Sequence, residues 1–211
     1  VILIYLLTAL GAYLLGSIPF GLLVAKLKGV DIRTAGSGNI GATNAMRVLG
    51  KPAGITVLIL DALKGYAAAA FLPSLILGVS SKAVPTPDLL PLVAGIFAVL
   101  GHNYTCWLKF KGGKGIATTA GVYLALAPWA LLIALVVFVL AVAFSRYVSV
   151  GSLAAAVALP MAVWIMKPGE PCLIIVTCAL GVLAIYKHKC NIQRLRAGTE
   201  NRLGQKAGGA R

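Results

Sequence analysis

Acidic side chains are nearly missing from this chain. Only 5 of its 211 residues are Asp or Glu, and charges of both signs together make 11%, where a soluble domain carries about 25%. A surface so poor in charge is not built for water. Histidine is as scarce, with two copies. The four cysteines, Cys106, Cys172, Cys178 and Cys190, contain no C-x-x-C pair. That excludes a disulfide framework and leaves buried or cytoplasmic thiols. His102 with Cys106 and His188 with Cys190 look like metal-ligand pairs, yet no third ligand or carboxylate cluster completes a site, so no metal is expected. No basic segment precedes the first apolar run, whose positive charges follow it at Lys26 and Lys28. The run therefore reads as a retained helix, not a cleaved signal peptide.

Apolar sequence fills the space that charge leaves. Hydrophobic residues make 60% of the chain, in recurring runs long enough for a bilayer, which takes about 20 residues. The runs cover about 1–26, 53–77, 89–108, 116–144, 148–166 and 172–186. The fold class expected is all-α, a polytopic membrane protein. Pro19 near the end of the first run predicts a kink there. Asp61 and Lys64 interrupt the second run at i, i+3, a spacing that lets them pair. Charges inside a membrane segment point to function or to a structural ion pair near the interface.

The run 116–144 decides the topology. As one long helix it would put Arg146 and the basic tail opposite Lys109 to Lys114. Broken at Ala127-Pro128-Trp129, it gathers sixteen of the nineteen Lys and Arg residues on one side. Lys82 and Lys167 then lie opposite, and Lys64 lies in the membrane. Cytoplasmic loops collect Lys and Arg, so the break is expected. Seven transmembrane helices follow, with the N-terminus outside and the C-terminus in the cytoplasm. The same bias accounts for the net charge of +14, and nucleic acid is not an expected partner. Residues 1–202 read as a single integral-membrane domain and 203–211 as a flexible tail.

That topology brings three polar, basic, glycine-rich segments to one face. The first, G-S-G-N-I-G-A-T-N-A-M-R from Gly36 to Arg47, has the chemistry of a loop that holds an oxyanion. Glycines let backbone N–H groups approach a ligand closely. Ser37, Asn39, Thr43 and Asn44 add hydrogen bonds, and Arg47 adds a fork matched to phosphate oxygens. Gly36, Gly38 and Gly41 also spell G-x-G-x-x-G with Asp61 twenty residues beyond, but no βαβ unit surrounds them. In the second segment, K-F-K-G-G-K-G over 109–115, Lys114 sits between Gly113 and Gly115 where a helix begins. A helix N-terminus there adds attraction for an anion. Gly115 stands where a Walker A loop needs Ser or Thr. The third, K-H-K-C-N-I-Q-R-L-R-A-G-T-E, sets His188 and Asn191 on one face if the last helix continues, with Arg194 and Glu200 beyond. Ser37 lacks the G-x-S-x-G elbow of a serine nucleophile, because Ala35 replaces the first glycine.

These three segments, with G-H-N-Y-T-C-W-L-K-F-K-G-G-K-G-I-A-T as the fuller second one, resemble the motifs of the bacterial acyl-phosphate:glycerol-3-phosphate acyltransferases. The likeness extends over nearly the whole chain. It implies transfer of a fatty acyl group from acyl phosphate to the 1-hydroxyl of glycerol 3-phosphate, giving lysophosphatidic acid and phosphate, the first acylation of phospholipid synthesis. Thioesters of CoA or acyl carrier protein would not serve as donors. It also implies catalytic roles for Ser37, Arg47, Lys114, His188, Asn191 and Glu200. Phosphate-binding roles fall to Gly38, Asn39, Gly41, Thr43, Asn44, Gly112, Gly113, Gly115 and Arg194. No cofactor is implied. The partners expected are the two small-molecule substrates and membrane lipid, with the chain acting as a monomer in the bacterial inner membrane and its site on the cytoplasmic face.

Neither histidine has Asp five residues on, where Trp107 and Gln193 stand. The His-and-Asp dyad of the common glycerolipid acyltransferases is therefore missing. An acyl phosphate is already an activated anhydride, so holding two phosphates and aligning a hydroxyl is the main task. A phosphate monoester with its second pKa near about 6 can take the hydroxyl proton itself; His188 is the other candidate base. The reading from a different class is a transporter of a phosphorylated anion, which needs charge near the midplane. Here the charge gathers at one face, with only Asp61 and Lys64 inside.

Overall fold

The apolar runs fold as helices, and no strand occurs among the described residues, 1–79 and 85–204 of a computed structural model. Lys82, Lys206 and Arg211, which entered the charge division, lie outside the described residues. By packing, the chain divides into two units, Val1–Leu126 and Ala127–Arg211.

In the first unit, α1 (Ile2–Ser17) and α2 (Phe20–Leu27) are one apolar run broken at Pro19. Proline clashes with the preceding turn and brings no N–H. Inside a membrane the backbone opened by such a break needs partners from the protein. Here the Thr105 hydroxyl donates to the Ser17 carbonyl at 2.6 Å, and the Lys64 ammonium donates to the Ile18 carbonyl at 2.8 Å. Next come α3 (Ala42–Leu49), α4 (Lys51–Ala70), α5 (Leu72–Gly78), α6 (Leu90–Asn103) and α7 (Ile116–Leu126). The helix α3 lies inside the stretch 28–51, whose polarity gave no sign of it.

Glycines set the spacing of the helices. A Cβ on Gly16 of α1 would collide with the Ala98 carbonyl of α6, and one on Gly121 of α7 with the Ala62 carbonyl of α4. With little hydrophobic drive between helices in lipid, such close approach supplies the dispersion contact that holds them together. Leu22, Ala25, Ile32, Ile40, Ala45 and Val57 form a buried apolar cluster among α2, α3, α4 and the loop between α2 and α3.

The second unit holds α8 (Pro128–Ser145), α9 (Val148–Met166), α10 (Pro171–Lys187) and α11 (Lys189–Arg196). The run 116–144 is thus interrupted at Ala127, where the sequence places its break. The last run also departs from one straight helix: it bends by 53° between α10 and α11, at His188. Leu203, assigned from sequence to the flexible tail, donates its N–H to the Arg146 carbonyl at 2.7 Å; 205–211 lie outside the described residues.

Among the described residues, five helical stretches are long and apolar enough to cross a membrane: Ile2–Leu27, Lys51–Gly78, Pro87–Leu108, Pro128–Ser145 and Val148–Met166. The bent pair α10–α11 makes a sixth if counted as one span. The chain is an all-helical integral membrane protein, and its outward Leu, Val and Phe side chains form the surface that lipid requires.

Candidate active site

In the first unit, two glycine loops are built on one apolar floor. Ile32 and Ile40 plunge into the buried cluster from the first loop, and Leu108, ahead of the second, packs against the same cluster. Above this floor Ser37, Gly38 and Thr43 are exposed, and Arg47, in the last turn of α3, is half-buried. Thr43 and Arg47 are four residues apart and share a helix face.

Asn44 is the hub of the first loop. Its side-chain oxygen accepts the Ser37 N–H at 2.9 Å, while its amide donates to the carbonyls of Ile32, Ala35 and Asn39 at 3.3, 3.0 and 2.9 Å. Buried and committed in this way, it shapes the loop. Asn39 does the same on a smaller scale, its side-chain oxygen accepting the Gly41 N–H at 2.9 Å. The Gly38 N–H goes to the Ala35 carbonyl at 3.1 Å. Gly36 and Gly38, at φ 60° and 70°, supply the left-handed turns that make these bonds possible. Arg33 is engaged by Asp31 at 2.7 Å, and its hydrogen bonds hold that carboxyl down to about 2.

The second loop lies across the end of α6. The N–H groups of Gly112 and Gly113 donate to the carbonyls of Asn103 and His102 at 3.2 and 3.0 Å. A Cβ on Gly113 would run into the His102 ring, and one on Gly115 would sit 2.7 Å from the Asn103 side-chain oxygen. Lys109 and Phe110 stand in the left-handed region at φ 52° and 60°, a strain of about 1–3 kcal/mol each that the surrounding contacts must hold. Lys114, half-buried, follows Gly113 directly, and α7 begins two residues later.

Several N–H groups of these loops are already engaged within the protein. The N–H groups of Ser37, Gly38, Gly41, Gly112 and Gly113 all serve bonds inside the protein.

In the second unit, His188 is buried at the bend between α10 and α11. Its Nδ1 lies 2.7 Å from the Ala184 carbonyl. A carbonyl only accepts, so Nδ1 carries a proton. Glu200 has both oxygens engaged, one by the Asn191 amide at 2.6 Å and one by Arg194 Nε at 2.7 Å. Burial alone would push this carboxyl up. The hydrogen bonds from Arg194 and Asn191 outweigh it and hold the carboxyl below its usual range.

Deep in the first unit, Asp61 Oδ1 lies 2.8 Å from Lys64 Nζ and 3.5 Å from His102 Nδ1. The pair was legible from its i, i+3 spacing. His102, which the sequence suggests is a satisfied structural group, joins it from another helix with no local signal. Thr105, which donates to the Ser17 carbonyl, was also missed, since a lone hydroxyl carries no pattern. Among the described residues, no group of three or more His, Cys, Asp or Glu side chains could hold a metal.

Comparison with known proteins bears on this arrangement. The sequence model of the family described as glycerol-3-phosphate acyltransferase matches residues 6–198. A glycerol-3-phosphate acyltransferase of Geobacter metallireducens is 55% identical over 201 residues, covering 95% of this chain and 98% of its own length. That of Geotalea daltonii is 48% identical over 192 residues, covering 91% and 94%. Two crystal structures of PlsY (YgiH), an integral membrane glycerol 3-phosphate acyltransferase, superpose on the chain. The glycerol 3-phosphate form has a TM-score of 0.83 at 38% identity, covering 95% of this chain and 96% of that one. The lysophosphatidic acid form has a TM-score of 0.81 at 39% identity, covering 95% of each.

Proposed function

The chain belongs to the PlsY family of glycerol-3-phosphate acyltransferases, and from that premise we propose that its donor is acyl phosphate and its chemistry cytoplasmic. The enzyme acylates glycerol 3-phosphate to lysophosphatidic acid. The observation that carries the donor assignment is the state of the carboxylates. Asp31, Asp61, Glu170 and Glu200 are each paired with Arg or Lys. The fifth, Asp88, precedes α6, at the end opposite His102. A strong carboxylate base to drive attack on a thioester is not offered, so activation comes with the donor.

In this reading the 1-hydroxyl of glycerol 3-phosphate attacks the acyl carbonyl carbon. The bond from that carbon to the phosphate oxygen breaks, and inorganic phosphate leaves with the electron pair. The hydroxyl proton passes to a substrate phosphate oxygen, with Nε2 of His188 as the alternative acceptor. Arg47 and Lys114 neutralise the phosphates, Arg47 through a bidentate fork, and Ser37 and Thr43 add hydroxyl contacts. In the second unit, Glu200 holds Asn191 and Arg194 in place. Aligning the two reactants in this way supplies as much as about 7–11 kcal/mol of the barrier.

We place seven helices across the membrane, the N-terminus outside and the glycine segments inside. The sixteen Lys and Arg residues that this placement gathers on one face support it. The α7 helix has 11 residues and rises about 16 Å, near half of the hydrocarbon core. Its start, with Lys114, accordingly lies below the membrane surface in this placement, where irregular backbone is tolerated when buried in protein or lining a water-filled cavity. The acting unit in this reading is a monomer.

The test is turnover by purified protein given acyl phosphate and glycerol 3-phosphate alone. Lysophosphatidic acid and phosphate should appear in equal amounts, and acyl-CoA should give no product. Equal rates with acyl-CoA would contradict the donor assignment.

A further inference from the structure

The reaction leaves one costly feature of the first unit unused. Asp61 and Lys64 are 2% and 3% exposed in the middle of α4, and removing two charges from water costs several kcal/mol per ion. Apolar residues of similar volume would pack as well or better if cohesion were the only need. What the pair touches is more specific. Lys64 donates to the Ile18 carbonyl at the break between α1 and α2 and lies 5.6 Å from the centre of the Phe20 ring, at the first residue of α2. From α2 the chain runs into the Gly36–Arg47 loop. Asp61, on its other side, faces Nδ1 of His102. The His102 ring presents Nε2 to Gly113, and its carbonyl accepts the Gly113 N–H. Lys114 is the next residue.

We propose that Asp61, Lys64 and His102 form a positioning network that fixes the Lys114 loop relative to the α1–α2 break from which the Arg47 loop departs. The inference rests on the reading that Lys114 binds substrate phosphate. None of the three touches substrate. Lys64 fixes the start of α2, Asp61 joins it to His102, and His102 sets where Gly113, and so the Lys114 ammonium, can lie. A displacement of about 1 Å at such a group is enough to cost about a hundredfold in rate. Glycine at 113 belongs to the same device, because any Cβ there would displace the ring.

The experiment is a mutant cycle between the network and Lys114. Single loss of Asp61 or Lys64 would strand a buried charge and unfold the protein. The neutralised pair, Asp61→Asn with Lys64→Met, keeps volume and leaves no net charge. Its melting temperature in detergent should stay within a few degrees of the parent. Its kcat/KM for glycerol 3-phosphate should fall at least about tenfold, mostly through KM, while in a Lys114→Ala background it should change by less than about twofold. Parental kcat/KM in the folded pair variant, or a loss of equal size in both backgrounds, overturns the network. Should the pair variant not fold, His102→Asn leaves the ion pair in place and carries the same cycle, with the same losses expected and the same two results overturning the network. Full activity of Lys114→Ala by itself would sink the reading of the site, a failure distinct from that of the network.

Discussion

Glu200 spends both carboxylate oxygens on neighbours, and that decides what its replacement does. Gln keeps one accepting oxygen for Asn191 or Arg194, whereas Ala removes both, a loss of about 1–3 kcal/mol. Glu200→Gln should therefore retain more activity and a higher melting temperature than Glu200→Ala. The pH dependence has a defined sign. Because the folded carboxyl is held below its ordinary value of 4.5, its stabilisation is complete above that value and lost as pH falls through the lowered one. The parent should lose melting temperature on acidification below about 4.5, and Glu200→Gln should lack that part of the loss. A flat difference between the two proteins from pH 7 to pH 3 would show that the carboxylate makes no ionic contribution. The duty of Glu200 as a holder of Arg is readable from the sequence, since a carboxylate among phosphates would repel them. The duty of Asn44 is not. Its four bonds to the loop depend on tertiary turns that no local pattern encodes, so it reads as one more phosphate donor.

Helices in this chain are bounded by signals of unequal strength. Pro19 and Pro128 mark two breaks plainly, since proline removes a donor and excludes the preceding turn. The bend at His188 has neither proline nor glycine and comes from the burial of its ring against Ala184. The helix α3 hides among polar residues because it is short and carries its apolar face on few positions. The break at Ala127 is the element on which orientation turns. If α7 and α8 are separate spans, a reporter at residue 128 should read extracellular, and reporters at 40, 112 and 195 should read cytoplasmic. A cytoplasmic reading at 128 would remove both the seven-helix arrangement and the common face of the glycine segments.

At the scale of the whole molecule, membrane residence and the three segments follow from composition and glycine spacing. The packing that unites two of those segments does not. Ile32, Ile40 and Leu108 are ordinary apolar residues in sequence, yet they seat both loops of the first unit on one cluster. His102 meets Asp61 only because α4 and α6 pack together. The central claim is that Arg47 and Lys114 serve the phosphates of a single transition state. A charge-assisted contact is worth about 1.5–3 kcal/mol, so Arg47→Ala and Lys114→Ala should each lower kcat/KM by about ten- to a hundredfold or more. Arg47→Lys should also be poor, since a point charge does not reproduce a bidentate fork. The most direct measurement is kcat/KM of Arg47→Ala with Lys114→Ala, set against the two single variants under the same acyl phosphate and glycerol 3-phosphate concentrations. Residues that act together should give a double loss well short of the product of the single losses; fully multiplicative losses, with unchanged affinity for glycerol 3-phosphate, would contradict the account.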